Sequence, residues 1–269
     1  MLLIQTHLNQ LRLRGIRPMT IRARLHILTA LATHLDPVSL LDADRYALEG
    51  FLARDLAPQS RRAYRSHIRG FYQWLLDEDE IQVDPTIKIA VVRVPKALPR
   101  PVSEAGLWLA LDRADPRMKA WLLLMSFAGL RCCEVAVLRP ADLLLTGTSM
   151  LYLREVKGGG SDTVPAHQII VEALLALPTK KRGTLWWDVT PQTVSQLVRA
   201  HLRGCGVDAT AHQLRHYAAT SWYKASGHDL LTTSRLLRHA NVQTTQIYAK
   251  LDPTRPAEVV GLTTLPPAA

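Results

Sequence analysis

The chain has 269 residues and 48% hydrophobic content, enough for one large domain or two modest ones with genuine cores, which excludes disorder as the starting assumption. Lys and Arg number 33 against 23 Asp and Glu, a formal charge of +10 that suits a polyanionic partner, since each phosphate contact releases counterions. Three cysteines, two of them adjacent, give neither a disulfide framework nor zinc spacing. With no basic and apolar leader and no long apolar run, a soluble intracellular protein without a membrane partner is expected.

In chain order, the first ninety residues read as helices. Thr20 is placed to cap a helix through about Leu35, with Ile21, Leu25, Leu28, Leu31 and Leu35 along one face. A second helix spans Asp42 to Leu56. A third starts near Gln59, carries Tyr64, Ile68, Phe71, Tyr72 and Leu75 on its apolar side, and ends at the acidic run Asp77 to Glu80, read as a solvated turn. Beside that apolar side Arg61, Arg62, Arg65 and Arg69 form a basic stripe, either a surface for a DNA groove or an ordinary solvated face.

Pro95, Pro99 and Pro101 then block helix and favour an extended connection. The division expected is a helical domain over 1–90, a proline-rich linker over 91–102 and a second domain over 103–269. Ser103 starts that domain's first helix, with Glu104 at its positive end. Helices are expected at about 103–113 and 116–130, and from Cys132. Met150 to Val156 reads as a strand, Gly158 to Gly160 as a hairpin turn, Ser161 to Pro165 as the returning strand, and 184–188 as a possible third. Helices follow at 168–177, 191–204, 211–226 and 229–238. The fold class is therefore mainly α, an N-terminal helical domain plus a C-terminal mixed α+β domain with a small antiparallel sheet.

Half of the ten histidines fall between 201 and 239. His212 and His216 have the spacing of a metal pair, but Gln213 stands where a zinc motif has Glu, and the guanidinium of Arg215 lies between them, so no metal site is expected. The glycine run lacks the Gly-Lys-Ser/Thr of a phosphate loop, and no carboxylate constellation suits two-metal strand transfer. What remains is a cationic set with a phenol. Two arginines forked onto non-bridging oxygens can stabilise a phosphoryl-transfer transition state, given a nucleophile, a base and an acid.

At these residues the chain resembles the tyrosine recombinases of the phage integrase and Xer-like family. Gly129-Leu130-Arg131-Cys132-Cys133-Glu134 is similar to their first arginine motif, and His212-Gln213-Leu214-Arg215-His216 to the second. Leu237-Arg238-His239, followed nine residues after the histidine by Tyr248, is similar to the third. The turn at Val156-Lys157-Gly158 resembles the hairpin that carries the family's general-acid lysine. The N-terminal helices and proline linker match its DNA core-binding domain, so the resemblance covers nearly the whole chain.

The resemblance implies a site-specific DNA recombinase working through a 3′-phosphotyrosyl intermediate, with no metal, ATP or other cofactor. It makes Tyr248 the nucleophile, His212 the base or orienting group, Arg131 and Arg215 the clamps on the phosphate, Lys157 the acid for the leaving 5′-oxygen, and His239 a hydrogen-bond donor. Glu134 and His216 are then supports for those groups. It also implies double-stranded DNA with inverted half-sites as partner, a dimer on each site and a tetramer in synapsis, and a cytoplasmic, nucleoid-associated location. A type IB topoisomerase and a non-catalytic DNA-binding accessory protein are the alternatives. Two positions depart from the family pattern. The usual basic residues after the hairpin turn are replaced by Gly160, Ser161 and Asp162. Arg238 replaces a glycine that would ease a positive-φ turn, at roughly 1 kcal/mol if that geometry persists, and could instead add a phosphate contact.

Overall fold

A computed structural model describes residues 1–94, 98–154, 160–178, 183–239 and 241–249. The chain divides into two compact units, Met1–Lys96 and Ala97–Ala269. The expected linker straddles that division, and Lys157 and the tail after residue 250 lie outside the described residues.

The first unit is built from α1 (Leu2–Leu13), α2 (Pro18–Leu35), α3 (Arg45–Ala53) and α4 (Pro58–Asp77). Proline, not threonine, opens α2, because its fixed φ already suits the first turn and its missing N–H is no loss there. Asp44 caps α3 by accepting from the Ala47 amide at 2.8 Å, which places its start three residues later than expected. The apolar stripes meet in one core around Ile4, Leu8, Leu28, Leu31, Phe51, Phe71 and Leu75. His7 is buried in it against Phe71 and Trp74, and the Arg24 guanidinium spans from His7 to His67. Asp77 ends α4 and Glu78 to Glu80 form an exposed turn, as their charge requires.

The arginine stripe on α4 splits in two. Arg61 donates to the carbonyls of Leu52 and Arg54, and Arg65 donates twice to the carbonyl of Ile89, at 2.7 and 3.2 Å. These two hold the chain that flanks the helix. Arg62 and Arg69 are exposed and line one groove with Ser66 and Gln73.

The second unit packs α5 (Glu104–Asp112), α8 (Gln168–Leu175), α9 (Pro191–Gly204) and α10 (Ala211–Ala225) around α6 (Pro116–Phe127). From Ala120 to Met125 every residue of α6 is buried, as a helix that is apolar all round must be. Ser103 caps α5 and Asp115 caps α6. The five-residue α7 (Cys132–Ala136) follows α6 directly. A three-stranded antiparallel sheet, in the order β1 (Leu143–Leu144), β2 (Met150–Leu153), β3 (Asp162–Pro165), pairs Leu151 with Leu143 on one side and Val164 on the other. The chain then ends its described part with α11 (Leu230–Leu236) and α12 (Gln246–Ala249).

The expected third strand at 184–188 is absent, and β1 takes its place. Trp186 and Trp187 have high strand propensity, but their indoles fill the core. Trp187 packs edge-on against Trp121 and donates its Nε1–H to the carbonyl of Val135 at 2.6 Å, while the Trp186 amide donates to Leu138. This segment therefore clamps the C-terminal end of α7. Trp187→Phe removes that hydrogen bond and also leaves part of the indole's space in the core unfilled, and should lower unfolding free energy by about 2–3 kcal/mol in urea denaturation. An unchanged midpoint would show that the Val135 contact does not hold α7.

Candidate active site

The site is assembled from three chain turns around one buried guanidinium. After α6 ends, Gly129 takes a φ of +59°, and a Cβ added there would lie 2.7 Å from the ring of Trp222, so only glycine fits on both counts. This reversal aims the Gly129 carbonyl inward. Arg215, on α10 and 3% exposed, donates to that carbonyl and to the carbonyl of Leu237. Burial, followed by repulsion from Arg131 and Arg238, pulls its guanidinium down to about 9, still protonated at neutral pH.

Arg131 forms the N-cap of α7. Its amide donates to Glu134 at 2.8 Å, and its guanidinium pairs with the other oxygen of the same carboxylate at 2.9 Å. The Glu134 oxygen that accepts from the Arg131 amide also pairs with Arg238, at 2.8 Å. Burial works to raise the Glu134 carboxyl, but Arg238, the Arg131 amide, Arg215 and Arg131 together hold it below the ordinary carboxylate range. Glu134 thus pairs with Arg131, as their spacing allows, and also with Arg238.

Arg238 corrects an expectation. Its φ is +53°, and the amides of Arg238 and His239 donate back to Arg235 and Ser234, the bond pattern of a helix ending that usually takes glycine. The positive-φ turn therefore persists without glycine, at the roughly 1 kcal/mol such a backbone costs a side chain. The side chain makes no outward phosphate-directed stripe: it is 3% exposed and turned onto Glu134 and the Gly129 carbonyl. Next to it, His239 Nδ1 lies 2.9 Å from Thr245 Oγ1.

Tyr248, on α12, is 3% exposed, and its hydroxyl lies 2.8 Å from Nδ1 of His216. His216, not His212, is therefore the imidazole in contact with the phenol. His212 instead packs edge-on against His216, with ring centroids 4.4 Å apart. Burial raises the Tyr248 phenol to about 12, against the opposing pull of Arg215 and Arg131. His216 is lowered to about 4 by burial, then by His212 and Arg215. His239 falls to about 4 by burial, then by Arg215 and Arg131, and His212 is lowered for the same reasons in the same order. Neutral imidazoles are what burial, reinforced by a dense set of guanidiniums, enforces. Among the described residues no three of His, Cys, Asp or Glu gather as a metal cage, and no helix is long and apolar enough to cross a membrane.

The arrangement joins a phenol, an imidazole and two guanidiniums within one electrostatic field, the parts needed to hold an anionic ester and attack it. The hydrogen bond between Tyr248 and His216 and the sharing of Glu134 were not readable in advance. The only hints were the i, i+4 spacing of the histidines and the i, i+3 spacing of Arg131 and Glu134.

Residues 107–255 match the phage integrase family. The chain is 30% identical over 247 residues to the tyrosine recombinase XerD of Pseudomonas putida, an alignment covering 81% of each. It is 34% identical over 176 residues to the tyrosine recombinase XerA of Pyrococcus horikoshii, covering 61% of each. In fold it is similar to lambda integrase (residues 75–356), solved as a dimer bound to a COC′ core site, with a TM-score of 0.75 and 16% identity over 90% of this chain and 95% of that one.

The depressed imidazoles set a pH dependence. An unfolded chain takes up protons on His216 and His239 as pH falls from about 6.5, whereas the folded chain does so only near 4. Their contribution is present above 6.5 and lost as pH falls from 6.5 towards 4. His7, also held at about 4, acts in the same direction. The melting temperature should fall on acidification across this window, and the slope should flatten in His216→Gln/His239→Gln. A melting temperature independent of pH between 7 and 4.5 would contradict the burial of neutral imidazoles.

Proposed function

The chain belongs to the phage integrase family of tyrosine recombinases, enzymes that transfer DNA strands site-specifically, and from that premise we propose how its own residues divide the work. Tyr248 attacks a backbone phosphorus of double-stranded DNA, forming a 3′-phosphotyrosyl bond and releasing a 5′-hydroxyl. A partner strand's 5′-hydroxyl then attacks the phosphotyrosine and releases Tyr248, so the phosphodiester's energy is kept in the covalent link throughout. The single observation that carries the reading is the hydrogen bond between the Tyr248 hydroxyl and His216, with Arg215 and Arg131 close enough to pull on the phenol's charge.

His216 is neutral at physiological pH, and as the Nε2–H tautomer it accepts from the phenol through Nδ1. This gives it the proton-accepting role first expected of His212, which is left, with His239, to donate to the phosphate. Arg131 and Arg215 hold the non-bridging oxygens where charge accumulates. Lys157 protonates the leaving 5′-oxygen, on the family resemblance of its hairpin. No cofactor enters this scheme.

The first unit is the DNA core-binding domain in the same proposal, and its exposed Arg62 and Arg69 contact phosphates. The second unit is the catalytic domain. Exchange between two sites requires a protomer for each cleaved strand, hence a dimer on inverted half-sites and a tetramer in synapsis, in the nucleoid of the cytoplasm. The named relatives are recombinases, and neither a topoisomerase nor an accessory role is favoured.

A nicked suicide duplex, taken from a randomised pool by covalent capture on the protein, tests the chemistry. Wild type should retain the strand in denaturant and do so in EDTA as well, whereas Tyr248→Phe should bind the duplex and retain nothing. Arg131→Ala should lose about 3–4 kcal/mol of transition-state stabilisation in single-turnover cleavage. Retention by Tyr248→Phe would remove the nucleophile from this account.

The arginine stripe is tested separately. Arg62→Ala and Arg69→Ala should each flatten the dependence of log affinity on log salt by about 0.9, with unchanged stability. Arg65→Ala should instead lower stability, because it frees the Ile89 carbonyl. Unaltered salt slopes in the first two variants would place the DNA elsewhere.

A further inference from the structure

Building on the reading that Arg131 grips the scissile phosphate, we propose that Arg238 is a positioning residue for strand cleavage, setting Arg131 through their shared partner Glu134. The connection is direct. One Glu134 oxygen holds the Arg131 guanidinium at 2.9 Å, and the other holds Arg238 at 2.8 Å. With side-chain exposures of 3% for Arg238 and 1% for Glu134, neither group is positioned to meet solvent-borne DNA itself.

Two further bonds of Arg238 bind the turns of the site together. Nη1 donates to the carbonyl of Leu236 at 2.9 Å, within its own turn. Nη2 reaches the carbonyl of Gly129 at 3.3 Å, the same carbonyl that receives Arg215. One planar fork therefore spans the turn that launches Arg131 and the turn that leads to His239. An ammonium at this position lacks the width to meet all three acceptors.

Charge gives the arrangement its consequence. A buried carboxylate paired with Arg131 alone would neutralise it and turn its N–H groups inward. A second guanidinium on the same carboxylate divides that attraction and leaves the Arg131 side an excess of positive charge for an anionic oxygen. The backbone points the same way. Arg238 is held at φ +53°, where glycine would sit without strain, so its side-chain bonds offset a conformation that the helix ending alone would assign to glycine.

The test is Arg238→Gly, which suits the backbone and deletes only the fork. Single-turnover cleavage and equilibrium binding are measured on the captured nicked duplex, alongside the melting temperature. Cleavage should slow by about tenfold or more while binding stays within about twofold, a loss confined to the transition state. Millimolar guanidinium chloride, entering the vacated position, should restore several-fold of the lost rate, and sodium chloride at equal ionic strength should not. Cleavage at the wild-type rate overturns the proposal. So does a loss that guanidinium leaves untouched or that appears equally in binding, since a merely structural role would behave that way. Should wild type itself capture no duplex, the recombinase reading beneath the proposal fails first, which separates the two.

Discussion

The geometry of the site depends on one buried cation. Arg215 is almost sealed from solvent, and such a charge persists only where fixed dipoles replace the lost water. Here the replacements are the carbonyls of Gly129 and Leu237, from turns that lie more than a hundred residues apart in sequence. Because those carbonyls must converge on one guanidinium, the turn before Arg131 and the turn before His239 are fixed relative to each other. The left-handed backbone at Gly129 and the close approach of Trp222 are the local conditions that aim the first carbonyl.

The remaining electrostatics follow from this joint. Arg131, Arg215 and Arg238 place three guanidiniums around a single carboxylate, Glu134, so the pocket keeps a net positive field. That field, added to burial, keeps His216 and His239 neutral and partly offsets the cost of ionising Tyr248. In the proposed mechanism, this phenol beside a neutral imidazole is the nucleophile, with an acceptor for its proton at hand. A net positive field of this kind suits the non-bridging oxygens of a phosphodiester.

Much of this was legible in the sequence where the determining physics is local. The helix α4 announced itself through an apolar side flanked by arginines. The motifs that resemble those of the family marked Arg131, His212, Arg215, His239 and Tyr248 as one set. Reading failed where packing decides. Trp186 and Trp187 favour a strand by propensity but fill the core, and a two-residue β1 is too short to carry a period. Two histidines on one helix face are equivalent on paper, and only the docking of α12 shows that His216 meets the tyrosine. Likewise, a guanidinium in place of glycine read as a free cation until its partner, 104 residues away in sequence, came into contact.

Mass spectrometry of the trapped protein–DNA adduct, trimmed by nuclease and digested to peptides, tests the central claim most directly. The account predicts a nucleotide joined through its 3′-phosphate to the phenolic oxygen at position 248 and to no other residue. Attachment at Tyr217 or Tyr223, or through a 5′-phosphate, would contradict it.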